Sequence, residues 1–259
     1  MEWKKVKWLI IALLLAVNIF LGINIAIRYS AALNHEKQDV RRAISLTEDS
    51  LGFKYEHFKD LPRYLYSFVG VRDVSAEEAF ALTLLGENGK LEASGGGVYT
   101  YTLPTKESFI FRRSGSVEGI VPAPAEDPAE FINEALKKQD FKIIQTARGI
   151  NLEFDGSLIY NAALEYTVAG TYMSVSGRLP LCDEWEKTQK SRSRGEMVLA
   201  LAQAVTANNM GSLESVSAVY FIESDNANEL RLTPSWVAQC SEGKIVISIA
   251  DKSVLSVEK

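Results

Sequence analysis

Between Trp8 and Ile27 the chain runs for twenty residues without a charged side chain, most of them Leu, Ile, Ala and Val. As a helix this stretch rises roughly 30 Å, the thickness of a bilayer's hydrocarbon core. A cleaved signal peptide is the competing reading, since Ser30-Ala31-Ala32 resembles a cleavage site. Signal-peptide apolar regions run to only about 7–15 residues, however, so the length favours a retained anchor. No lipobox follows, because the first cysteine is Cys182. Lys4, Lys5 and Lys7 flank one end and Arg28 the other, which predicts a cytoplasmic N-terminus. Trp3, Trp8 and Tyr29 fall where interfacial aromatics belong. The expectation is a cytoplasmic tail over residues 1–7, a transmembrane signal anchor over 8–27, and an extracytoplasmic body at the cell membrane.

Two amides interrupt the span. Asn24 is close enough to its outer end to reach the headgroups, whereas Asn18 lies near the middle. An amide in hydrocarbon is costly unless it finds a partner. Asn18, Gly22 and Ala26 are four residues apart and fall along one helical stripe. Small residues beside a polar one form the usual face for a second helix, so these three are the candidate partner-helix contact.

Beyond residue 30 the chain carries 24 basic and 32 acidic side chains, with no basic cluster except residues 187–194. An acidic body of that kind excludes nucleic acid as the expected partner. Its ordinary composition fits a folded region. Two cysteines are too few for a disulfide scaffold or a Cys-rich metal module.

The predicted fold class is α+β, with two lobes of helix packed on antiparallel sheet. Three prolines lie among residues 122–128, marking a linker between a first lobe at 31–121 and a second at 129–259. Upstream, residues 36–51 read as an amphipathic helix and 76–85 as a second helix capped by Ser75 with Glu78. Strands follow at 98–103, 108–112 and 117–121. Downstream, Asp127 and Pro128 open a helix to residue 138. Strands at 150–154 and 158–168, a helix at 196–207 and strands at 216–222, 230–240 and 244–249 complete the second lobe. Leu230, Leu232, Trp236, Ala238 and Cys240 share the apolar face of the penultimate strand. Pro234 places that strand at an edge or bulge, and Ser241, Glu242 and Gly243 make a three-residue hairpin loop. Cys182 and Cys240 are free to pair, or Cys240 is a buried thiol.

Little in the sequence points to catalysis. The only histidines are His35 and His57, too few for a three-histidine zinc site, and no Gly-x-Ser-x-Gly elbow occurs. Ser256 and Lys259 match Ser-x-x-Lys by chance near the chain's end. Gly95, Gly96 and Gly97 enter a strand, whereas a phosphate loop enters a helix. The acidic groups Asp183/Glu184/Glu186 and Glu126/Asp127/Glu130 read as solvated loops rather than a glycosidase pair. No catalytic residue, cofactor-binding residue or metal ligand is assigned.

The start of the chain, Met1-Glu2-Trp3 with Lys4, Lys5 and a single span containing Leu15-Ala16-Val17-Asn18-Ile19-Phe20-Leu21-Gly22, resembles the YycI/YycH family, on its YycI side. Thr233-Pro234-Ser235-Trp236-Val237, a turn with Gly243 and a final strand resemble that family's Pro-x-Trp ending. The last strand closes differently, with Ile249-Ala250-Asp251-Lys252-Ser253 where the family favours tyrosine, asparagine and a Thr-Gly pair. The resemblance implies a non-enzymatic regulator of the WalK/WalR two-component system of Gram-positive bacteria. Its anchor would contact the transmembrane helices of a WalK-like sensor histidine kinase and a YycH-like membrane protein, and its lobes would be PepSY- or cystatin-like. Two other readings stay open. One is a PepSY-like inhibitor or chaperone of a cell-wall hydrolase, acting through the hairpin at 241–243; the other is a structural subunit of an envelope assembly.

Overall fold

The computed structural model describes residues 3–259 apart from Arg63, Glu87, Lys138, Asp140, residues 191–193 and Ala227; the side chains at 4, 5, 9, 93, 94, 189, 190, 225 and 226 are likewise outside it. The first two residues of the resemblance and the centre of the basic stretch at 187–194 therefore lie outside the described residues. The class is α+β, with one apolar N-terminal helix long enough to cross a membrane.

Helix α1 (Trp3–Ser45) is a single 43-residue element. The expected span at 8–27 and the expected helix at 36–51 are parts of it. Nothing between them breaks the helix: residues 29–36 hold no Gly or Pro, and Ala31, Ala32 and Leu33 are strong helix formers. Helix α1 ends at Ser45, earlier than expected, and residues 49–51 form only a short 3-10 turn.

Three copies of one unit follow, each a helix leading into a four-stranded antiparallel meander. The first is α2 (Val74–Leu85) with β2 (Lys90–Gly95), β3 (Val98–Thr102), β4 (Ser108–Phe111) and β5 (Ser116–Pro122). The second is α3 (Pro128–Leu136) with β6 (Lys142–Gln145), β7 (Gly149–Phe154), β8 (Ser157–Ala169) and β9 (Tyr172–Arg178). The third is α4 (Arg194–Ala207) with β11 (Leu213–Asn226), β12 (Glu229–Cys240), β13 (Gly243–Ser248) and β14 (Val254–Glu258). Strands β1 (Tyr66–Arg72) and β10 (Cys182–Lys190) stand outside the units and pair with each other.

The proline-rich segment does not separate two sheets. The last strands of the first two units, β5 and β9, lie side by side from Ser116↔Arg178 to Pro122↔Tyr172. The order is therefore β2-β3-β4-β5-β9-β8-β7-β6, with α2 packed on α3. Each meander would otherwise end in an open edge, and each closes the other's. Val117 and Val121 of β5 join Met173 and Val175 of β9 in the core, so the seam is apolar as well as hydrogen-bonded. Strand β1 likewise bridges to β10 and β12. A single parallel bridge, Tyr220↔Ile159, joins β11 to β8.

Local signals fared unevenly. Asp127 caps α3 as expected, its carboxylate accepting from the Ala129 amide at 2.7 Å. Helix α2 starts before its expected cap, because Asp73 accepts from the Ser75 and Ala76 amides at 2.9 and 3.1 Å. Strand β12 is neither an edge nor bulged at Pro234, which sits opposite Tyr220 of β11. On its other side β12 pairs β1 through Leu232 and β13 from Ser235, so Pro234 occupies the change of partner. Its carbonyl accepts from the Ile249 amide on that same side, and the missing N–H costs no ladder bond. Cys240 pairs with Gly243, making the hairpin loop two residues long, Ser241 and Glu242.

Cys182 and Cys240 are free thiols, both buried. Burial pushes the first up to about 12 and the second to about 11. A buried thiol with so little thiolate is inert. We expect neither to react with a disulfide reagent at pH 8 in the folded protein and both to react on denaturation; rapid labelling of the folded chain would show that one is accessible.

Candidate functional site

The most distinctive element is α1, and its two halves have opposite environments. Over residues 8–27 the described side chains are almost all exposed, among them Asn18, Gly22 and Ala26. A Cβ built on Gly22 meets nothing within 4 Å. The structure therefore places the three expected contact residues on one uncovered face. The two amides differ: Asn24 donates to the Phe20 carbonyl at 2.9 Å. Asn18 makes no hydrogen bond among the described residues.

The upper half of α1 is seated on the body, chiefly on α4. Val40 is 2% exposed and Ala43 4%, both within the main core. Glu36 meets Arg194 at 3.1 Å where both are mostly buried, and Arg194 also donates to the Phe58 carbonyl. Arg41 stacks over Tyr55 with 5.2 Å to the ring centroid. Gly195 allows the two helices to meet closely: a Cβ there would lie 3.2 Å from the Asp39 side chain. Sequence reasoning read residues 36–51 as an amphipathic helix but missed Arg194 and Gly195. Their signal is weak, an Arg-Gly pair at the start of a strong helix, and only contact with α1 gives it meaning.

A buried ion pair lies at the start of α2. The Arg72 guanidinium donates through Nε and Nη2 to the Glu77 carboxylate at 2.5 and 2.7 Å, with side chains only 2% and 1% exposed. Nη1 donates to the Gly97 carbonyl at 2.6 Å, and the guanidinium stacks over Tyr99. Burial pushes the Glu77 carboxyl up, while the guanidinium pulls the other way. The turn at Gly96 and Gly97 takes positive φ at both residues, +58° and +79°, and is tied to β1 through Arg72.

A cavity of about 670 Å³ lies between the segment holding Glu56, His57 and Asp60, the β7–β8 turn at Asp155, and β11 at Ser215 and Ser217. Burial, then Lys54, holds the His57 imidazole below its ordinary value, and its Nδ1 has no hydrogen-bond partner among the described residues. His35 is exposed on α1. Asp183, Glu184 and Glu186 are exposed on β10, as are Glu126, Asp127 and Glu130 around the α3 cap. Among the described residues no three His, Cys, Asp or Glu side chains converge as metal ligands. Ser241 and Glu242 are exposed, but their amides donate to the Ser212 and Met210 carbonyls, which ties the hairpin to the α4–β11 loop.

No family model and no curated protein matches this sequence. Among solved structures the chain is similar to an uncharacterized protein from Eubacterium rectale ATCC 33656, with 11% identity over 76% of this chain and 87% of that one and a TM-score of 0.48. It is also similar to the Bacillus megaterium YpeB C-terminal domain, with 15% identity over 73% of this chain and 98% of that one and a TM-score of 0.35. Both likenesses are remote.

Proposed function

We propose that this protein is a membrane-anchored extracytoplasmic regulator of a two-component sensor histidine kinase, of the kind the resemblance to the YycI/YycH family implies. On this reading the N-terminus is cytoplasmic, the helix–meander units are PepSY- or cystatin-like, and the chain has no catalytic role of its own. The observation that carries the proposal is the continuity of α1, which is a candidate span at one end and part of the body's core at the other. A module that only needs tethering works on a flexible linker. A helix seated by Val40, Ala43 and the Glu36–Arg194 pair instead ties the span to the body as one piece. That arrangement suits a protein that reads or biases a neighbouring membrane helix.

The test is co-purification with the kinase. Asn18→Leu removes the amide while making the segment more apolar, so insertion does not suffer. Gly22→Leu adds bulk at the contact and pushes helices apart. Together they should abolish kinase association, leaving membrane insertion and folding intact, whereas Phe20→Leu on the opposite face should behave as the parent protein. Full association of the double variant would place the contact on the body. A swap of residues 8–27 for an unrelated span separates this reading from a hydrolase inhibitor, which would keep its activity.

A further inference from the structure

The uncovered stripe in the span and the seated face above it lie on the same side of α1. Asn18 and Glu36, Gly22 and Val40, and Ala26 and Ile44 are each eighteen residues apart. At 3.6 residues per turn that separation is five whole turns. Glu36 meets Arg194, Val40 is buried, and Ile44 packs against the core. The opposite face repeats in the same way: Ala16, Phe20 and Ile27 lie five turns below Asn34, Gln38 and Ser45, all three exposed. No Gly or Pro occurs in α1 after Gly22, so the usual causes of a kink are missing from the connecting turns.

We propose that α1 is a torsionally locked shaft that holds the body above the face of Asn18, Gly22 and Ala26, closing that face to a second copy of this chain. Packed helices lie about 8–10 Å apart. Above the membrane, the place beside α1 on this face is already filled by α4. A second copy pairing stripe to stripe would bring its own α1, which continues to Ser45, into that place, and by symmetry both bodies would collide. The occupant that fits is a transmembrane helix of another chain that ends or turns away below Glu36. That level is nine residues above Ile27, about 14 Å along the helix. The span thus selects a different partner by the phase of its connection to the body. This rests on the reading of α1 as a membrane span.

Oxidative cross-linking of single cysteines in the full chain, in membranes, tests the proposal. The native thiols stay silent because they are buried. Phe20→Cys should give disulfide-linked homodimers by collision, and Gly22→Cys at least fivefold fewer. Two alanines inserted between Arg28 and Tyr29 turn the body by about 200° relative to the span and should reverse the preference. Seven inserted alanines turn it by only about 20° and should leave the original pattern, although the body stands roughly 10 Å higher. Equal cross-linking from both positions, an unchanged pattern after the two-residue insertion, or no dimer from either position would overturn the proposal. Alkaline extraction of the same membranes reports insertion separately, so a chain released by alkali would count against the anchor and not against the locked shaft.

Discussion

Glu77→Gln should cost the folded protein about 3–5 kcal/mol, because it leaves a buried guanidinium without its counter-charge. Arg72 is 2% exposed as a side chain and cannot move to water without pulling β1 and the Gly97 turn apart. The neutral amide keeps the shape of the carboxylate, so the loss is electrostatic rather than steric. Arg72 links the end of β1 to the first turn of α2, which follows it directly, and to the β2–β3 turn, 25 residues further on. Chemical denaturation of the detergent-solubilised chain, followed by tryptophan fluorescence, would measure the shift. Replacing both partners, with Arg72→Met and Glu77→Leu, should recover most or all of the loss, since an apolar pair of similar volume is often no worse than a buried ion pair. A wild-type midpoint for Glu77→Gln alone would mean that the pair contributes nothing.

Trp236→Ala should be equally damaging for a different reason. The indole is 2% exposed on the core face of β12, with its ring centroid 5.6 Å from that of Phe58. Deleting a buried aromatic side chain costs about 3–5 kcal/mol through lost burial and the cavity left behind. In a body of this size that corresponds to a fall in melting temperature of roughly 6–20 °C. Phe58 also offers its carbonyl to Arg194, so the cavity opens next to the seat of α1. Trp236→Phe should recover a large part of the loss. An unchanged melt for Trp236→Ala would mean that the indole is not buried.

Much of the local architecture was legible without coordinates. The uncharged run could be read as a long apolar helix, because twenty residues without a charge and with only two amides carry no charged face. The inward face of β12, the cap of α3 and the strong helix at α4 could be read because periodicity and capping are properties of neighbouring residues. Strands β1 and β10 were not legible. The sequence of β1, Tyr-Ser-Phe-Val-Gly-Val-Arg, looks like a loop-flanked apolar fragment, and β10 is dominated by charged and polar residues. Each becomes a strand through pairing with the other, and β1 also with β12.

The candidate site divides along the same line. That Asn18, Gly22 and Ala26 share one face follows from spacing alone, since a helix brings residues four apart together whatever surrounds it. The pairing of Arg194 with Glu36, the close approach at Gly195 and the burial of Arg72 against Glu77 required the fold. So did the joining of the first two meanders through β5 and β9, where a Pro-rich segment had suggested a division. Thus the sequence by itself determined the long apolar N-terminal helix, the α+β class and most of the other helices, because short-range periodicity and capping decide those. Tertiary structure alone decided which strand edges close one another and which face of α1 the body covers. Backbone hydrogen-bonding groups are nearly the same in every strand and carry no address. Their partners are chosen by apolar faces that come together only when segments a hundred residues apart are packed into one core.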